Sequence, residues 1–258
     1  HSLDALRGFD MFWIMGGEGI FSGLAIATGW PIFEWWAKQL HHVPWHGFVF
    51  YDMIFPLFLF IAGISFPFSL AKRLAANDSK SSIYKHVITR GVVLVLLGIL
   101  YNNGIRFNVD ELRFGSVLGR IGLAWMFAAL IFMNTTRVWR IVWFCTLLLG
   151  YWFALMLFPA HDLGSTDIYS IEGNLTSYID RLLMPGRLHL KIHDPEGLFS
   201  TIPAIGTALL GMFTGEFMNS KYLSDKPLRK VLYLVAAAII LMIRGKPWNT
   251  PFPINKNF

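Results

Sequence analysis

Charge is what this chain has least of. Only 15% of its 258 residues are Asp, Glu, Lys or Arg, against about 25% in an ordinary soluble domain. So few charges cannot cover a water-facing surface, while 55% hydrophobic residues and a mean hydropathy of +0.50 suit lipid. Cysteine is nearly missing too. The single Cys145 lies in an apolar run, which excludes an intramolecular disulfide and a cysteine-built metal site. Low-complexity tracts and convincing internal repeats are absent, and the composition excludes disordered and collagen-like chains. The positive surplus, 22 Lys+Arg against 16 Asp+Glu, is what membrane-protein loops carry, so no nucleic-acid partner is expected.

What the sequence does have is apolar runs. Residues 3–20, 48–70, 87–101, 114–133, 141–158, 198–218 and 231–243 could span or nearly span a membrane, which takes about 20 residues. The third and last are short and would extend into their flanks or tilt less. The runs are continuous and lack period-two alternation, which argues against a barrel. The expected fold is all-α, a polytopic transmembrane helical bundle of about seven spans. It forms a single integral membrane domain over residues 1–258. The chain starts at His1, and residues 244–258, rich in Pro and Asn, read as a loop that stops short of another helix. The expectation is a chain incomplete at both ends, with more spans in the full protein. Asp4, Arg7, Asp10 and Glu18 are too many charges for a signal-peptide core, so residues 3–20 read as a mature helix.

Lys and Arg set the expected orientation. Lys72, Arg73, Lys80, Lys85, Arg90, Arg137, Arg140, Lys221, Lys226, Arg229 and Lys230 make eleven on one side, against Lys38, Arg106 and Arg113 in the short loops opposite. The eleven mark the cytoplasm. The N-terminus is then cytoplasmic, and the loops 21–47, 102–113 and 159–197 face outward. Six of the eight histidines fall in those outward loops, as do Trp30, Trp35, Trp36 and Trp45, which read as an interfacial aromatic belt.

Ionisable groups inside spans cost about 2.5–3.5 kcal/mol each and persist where they pair or line a cavity. Asp4, Arg7 and Asp10 share one helix face, where Arg7 can pair with either carboxylate. Glu18 sits among Gly16, Gly17 and Gly19, which admit a close-approaching backbone or ligand. Asp52 lies about one turn into the second span, and Pro56 is expected to kink that helix by removing its bond to Asp52. A histidine beside a buried carboxylate gains basicity and a fixed tautomer. Here either His42 or His46 could meet Asp52. Zinc held by His42 and His46 is disfavoured because Pro44 breaks the helix between them. Asp194-Pro195-Glu196 reads as the capped start of the sixth span. Arg120 needs a carboxylate partner or an anionic ligand.

Taken in order, these residues resemble one family. Ser2-Leu3-Asp4-Ala5-Leu6-Arg7-Gly8 is similar to the opening signature of the transmembrane acetyltransferases typified by heparan-alpha-glucosaminide N-acetyltransferase. His42-Val43-Pro44-Trp45-His46-Gly47, with Asp52, Phe55-Pro56 and Phe60-Ile61-Ala62-Gly63, resembles its histidine loop and second helix. Gly115-Ser116-Val117-Leu118-Gly119-Arg120-Ile121-Gly122, Asp194-Pro195-Glu196-Gly197-Leu198 and Pro253-Ile254-Asn255-Lys256 resemble three further motifs.

The resemblance implies an integral enzyme that moves an acetyl group from cytoplasmic acetyl-CoA to an amino sugar or related glycan across the membrane. In a bacterium that would be the inner membrane. His42 becomes the active histidine. Asp52 would orient it, and Glu18, standing where the family has asparagine, would contact the imidazole or the acceptor. A neutral imidazole can take the amine's proton or be acetylated first. Arg7, Lys72, Arg73 and Arg90 are the candidate contacts for the CoA phosphates. Asp4, Asp10, His46, Arg120, Asp194 and Glu196 are candidate cavity or structural residues. No metal is expected, and a homodimer is a candidate assembly. The competing reading is a transporter or channel for a small polar solute or ion, since intramembrane charges and broken helices also mark transport paths.

Overall fold

A computed structural model describes residues 2–102, 112–165, 167–222 and 226–248. Arg106 and the 253–256 motif lie outside the described residues. Among those described, the structure is helical and no β-sheet forms; one isolated antiparallel bridge joins Arg113 to Gly186. The helices are α1 (Ser2–Phe12), α2 (Glu18–Thr28), α3 (Pro31–Gln39), α4 (Ile54–Ala75) and α5 (Lys80–Tyr101). They continue with α6 (Val117–Asn134), α7 (Arg137–Leu157), α8 (Leu175–Leu183), α9 (Thr201–Asn219) and α10 (Pro227–Trp248).

All seven apolar runs become helices. Five stretches are long and apolar enough to cross a membrane: Ser2–Thr28, Phe50–Ala75, Lys80–Tyr101, Val117–Asn134 and Arg137–Leu157. The expected count of about seven therefore divides. Helices α9 and α10 form as well but are not among these five. The short third run extends to 22 residues by taking in the polar stretch from Lys80, capped by Ser79, whose hydroxyl accepts the Ser82 N–H at 3.2 Å. The protein is an all-α, polytopic integral membrane bundle.

Helices α4, α5, α6 and α9 form the centre. Leu59, Ala124, Ala128, Ala208, Leu209 and Met212 are fully buried there. Without a hydrophobic drive between helices in lipid, small residues let backbones meet. A Cβ on Gly63 would lie 2.3 Å from the Ala208 carbonyl, one on Gly211 2.2 Å from that of Phe60, and one on Gly215 2.2 Å from that of Ile64. Helices α4 and α9 therefore touch backbone to backbone over several turns.

The expected outward loop 21–47 is largely helical. The first helix runs past a π-helical segment, Trp13–Gly17, to Thr28. Gly16 in that segment has φ 135°, a conformation that L side chains rarely adopt. Pro31 sits in the first turn of α3 and starts it. Trp13 stacks on Trp36 of α3 (6.0 Å between centroids) and on Phe21 (5.6 Å), with Phe50 edge-on at 5.2 Å. This aromatic cluster, with buried Leu40 and Ile54, fastens α1–α3 to the start of α4. Two more expectations change. Segment 159–197 contains α8, and residues 244–248 continue α10 instead of forming a loop.

Candidate functional site

The chain leaves α3 at Gln39, crosses the His41–Gly47 turn and enters a 3₁₀ turn, Phe50–Met53. That turn is why the expected proline kink does not occur. Asp52 lies before α4, and Pro56 falls in the helix's first turn, where no intrahelical N–H is needed. The turn aims Asp52 back at the histidine loop. His42 Nδ1 and Asp52 Oδ1 are 2.5 Å apart, and Asp52 Oδ2 accepts the Val49 N–H at 3.1 Å. A carboxylate only accepts, so Nδ1 is the donor, and in the neutral imidazole Nε2 then carries the lone pair. Tyr51 packs edge-on to the His42 ring at 4.8 Å. The choice between His42 and His46 thus falls to His42, the one that meets Asp52; the His46 ring neighbours Trp45 instead.

His42 and Asp52 line a cavity of about 770 Å³, within the roughly 300–1,000 Å³ range of small-molecule sites. Its walls come from the His42 loop, the start of α4, α7 and the segment before α9. Phe55, Leu148, Leu149, Pro203 and Ala204 supply apolar surface, and Arg113, Arg120, Tyr151, His189 and Glu196 supply polar groups.

Asp194 does not cap a helix, since α9 begins only at Thr201. Instead Arg113 grips it with two bonds, Nε to Oδ2 at 2.7 Å and Nη2 to Oδ1 at 2.6 Å, and Nη2 also donates to Glu196 Oε2. Burial pushes the Asp194 carboxyl up, but the Arg113 fork and the N–H groups of His189 and Glu196 more than offset it, holding the carboxyl below the usual range. Arg113 gains correspondingly: burial lowers it, and its two carboxylates raise it beyond its ordinary value. Among the described residues Arg120 pairs with no carboxylate. Its Nη1 and Nη2 donate to the carbonyls of Pro195 (2.7 Å) and Ser200 (2.9 Å), and the guanidinium lies 4.9 Å over the Phe55 ring. Below this turn, fully buried Asp180 accepts the Leu198 N–H at 2.9 Å, and burial pushes its carboxyl up to about 7.

A second cavity of about 440 Å³ runs along α4 beyond the first, lined from Phe58 to Arg73 and by α5 and α6. It gathers Arg7, Arg73 and Arg90 with His86, Ser65 and Ser69. Arg7 reaches it through Ser65 Oγ (2.5 Å) and pairs with Asp4 (3.1 Å) rather than Asp10. Asp10 is fully buried and its carboxyl makes no hydrogen bond among the described residues. Arg90 lies over the Trp125 ring at 4.5 Å. Lys72 is exposed and lines neither cavity. Glu18 stands 3.6 Å from Nε2 of His41, not on His42, and it lies outside both cavities.

Sequence reasoning singled out neither Arg113 nor His189 as site residues. Arg113 bonds Asp194 from 81 positions away, and no local pattern signals such a contact. Tyr51 could have been suspected from its place beside Asp52.

No protein-family model matches the chain. Two curated proteins do. The heparan-alpha-glucosaminide N-acetyltransferase of Mus musculus is 27% identical over 99% of this chain and 46% of its own length. The human protein of the same name is 27% identical over 94% of this chain and 41% of its own. The chain thus spans less than half the length of these curated relatives. Along nearly its whole length, helices, histidine loop and acidic turn included, it is similar to the heparan-alpha-glucosaminide N-acetyltransferases, the family its motifs resemble.

Proposed function

We propose that this bundle is the catalytic part of a membrane acetyltransferase that uses cytoplasmic acetyl-CoA to acetylate the amine of an amino sugar or related glycan on the outer side. The observation that carries the reading is the His42–Asp52 pair on one cavity wall, with a second, arginine-lined cavity farther along the same helix. The basic loops support a cytoplasmic N-terminus and, with it, an arginine-lined cavity on the cytoplasmic side. Acetyl-CoA is the donor substrate. Its phosphates suit Arg7, Arg73 and Arg90, which can form charge-assisted bonds to them, and its pantetheine arm would lead the thioester toward His42.

The amine nitrogen attacks the thioester carbonyl, the bond to sulfur breaks, and CoA leaves as the thiolate. His42 Nε2 takes the proton the nitrogen sheds and passes it to the departing sulfur. Asp52 keeps Nε2 free of hydrogen in the resting state and stabilises the imidazolium that forms. Tyr51 and the Trp13 cluster keep the loop in place.

The test is His42→Ala, assayed in membranes with acetyl-CoA and glucosamine. Transfer should fall by about a hundredfold or more. A rate near that of the wild type would overturn the assignment.

A further inference from the structure

His42 can take a proton, and Asp52 can hold the imidazole that does so, but neither answers the negative charge that grows on a carbonyl oxygen under attack. Carboxylates only accept, so Asp52 and Glu196 cannot serve that oxygen. The larger cavity needs a donor for it.

Four side chains on the wall keep a polar group uncommitted among the described residues. They are Arg113 through Nη1, Arg120 through Nε, the His189 ring and the Tyr51 hydroxyl. Position separates them. The amine nitrogen that gives its proton to His42 Nε2 is the atom that bonds to the carbonyl carbon. Base, nitrogen, carbon and oxygen are consecutive neighbours, so the donor that serves the oxygen stands beside His42. Arg113 and Arg120 are engaged on the Asp194–Ser200 segment, and His189 gives its backbone N–H to Asp194 there. Tyr51 is packed on the His42 ring itself, with centroids 4.8 Å apart and planes at 62°.

The local chain explains that placement. Tyr51 directly precedes Asp52 in the 3₁₀ turn Phe50–Met53. Two consecutive residues of one turn therefore meet the same imidazole, Asp52 at Nδ1 and Tyr51 at the ring. On its other side the Tyr51 ring packs on the cluster of Trp13, Leu40 and Ile54. A ring held from two sides carries a preorganised hydroxyl, and a fixed donor in a largely apolar cavity is worth more than one in water.

We propose that Tyr51 is a catalytic residue, the hydrogen-bond donor to the thioester carbonyl oxygen in the transition state. As the carbon–nitrogen bond forms, the carbonyl π pair moves onto oxygen and the Tyr51 O–H bonds to it, keeping its own proton. As the carbon–sulfur bond breaks, that pair returns, and the thiolate receives the proton that His42 took from nitrogen. This rests on the acetyltransferase reading and adds a group that the reading leaves out.

The experiment compares the full-length protein with its Tyr51→Phe variant in detergent, using acetyl-CoA and glucosamine. Phenylalanine keeps the ring against His42 and removes only the donor. Turnover should fall about a hundredfold or more, while both KM values and the thermal unfolding midpoint stay as they are. Slow hydrolysis of acetyl-CoA without amine passes through the same oxyanion and should fall by the same factor. A contact with the acceptor alone would spare hydrolysis, and a structural role would shift the midpoint; either result overturns the proposal. So does a turnover near that of the wild type, which leaves the acetyltransferase reading standing. A wild type that transfers no acetyl group at all fails that reading and the proposal together. Should Tyr51→Phe not accumulate as folded protein, 3-fluorotyrosine at position 51 keeps the shape and strengthens the donor. Turnover should then rise, and an unchanged rate would overturn the proposal equally.

Discussion

The indole of Trp45 stands edge-on to the buried imidazole of His193, with ring centroids 5.1 Å apart and planes at 87°. The same indole donates its N–H to the Tyr169 carbonyl at 2.6 Å. One side chain thereby ties the histidine loop to the segment that leads into the Asp194–Gly197 turn. Trp45→Phe keeps an aromatic ring and removes the donor. It should destabilise the protein by about 1 kcal/mol, the net worth of one part-buried hydrogen bond. Denaturant unfolding in detergent measures this, and an unchanged midpoint would show that the two segments hold together without it.

Asp52→Asn retains the shape and removes the charge. The amide can donate to Nδ1 and so favour the tautomer with the proton on Nε2, the atom that must be bare. Turnover should drop by about 10²–10⁴-fold, while the KM for acetyl-CoA stays close to that of the wild type. A larger effect on cofactor KM than on turnover would move Asp52 out of the proton-transfer role.

Asp180 makes stability depend on pH with a definite sign. Its carboxyl titrates near 3.8 ordinarily and at about 7 in the fold, so between those values the folded state holds a proton that the unfolded chain releases. Stability therefore falls as pH rises through that window and levels off above it. Asp180→Asn should remove this part of the slope, leaving the variant relatively more stable than wild type at pH 8 than at pH 4. Thermal unfolding of both proteins across that range provides the comparison, and parallel curves would contradict it.

Arg90→Gln tests the smaller cavity. Losing one charge-assisted contact should raise the KM for acetyl-CoA about tenfold or more. Acceptor KM should not move, and the difference from wild type should shrink as salt is added. Equal acetyl-CoA KM values at low salt would remove Arg90 from the phosphate contacts.

The helical bundle was legible because apolar runs of near-spanning length leave lipid-compatible helices as the main choice. The ends of those runs were less so. Residues 21–47 look like a loop by charge and tryptophan content, yet Pro31 and the spacing of Trp36 and Leu40 build α3 against Trp13. That a histidine of the 41–47 loop meets Asp52 was legible because the two lie within about ten residues, while the choice of His42 over His46 came from the geometry. The acidic turn misled for the opposite reason. Asp194-Pro195-Glu196 is a good local helix start, and a distant arginine outcompetes that use. Arg120 followed the general rule that a buried cation needs partners, but backbone carbonyls serve where a carboxylate or an anionic ligand was expected.

The glycine contacts between α4 and α9 have a mechanical consequence. Interdigitated side chains can change rotamer and let helices slip past each other, whereas two backbones in direct contact have no such lubricating layer. Each of Gly63, Gly211 and Gly215 abuts a carbonyl of the facing helix, so a slide by part of a turn drives atoms into one another. Both cavities are lined by α4, one half of this backbone contact.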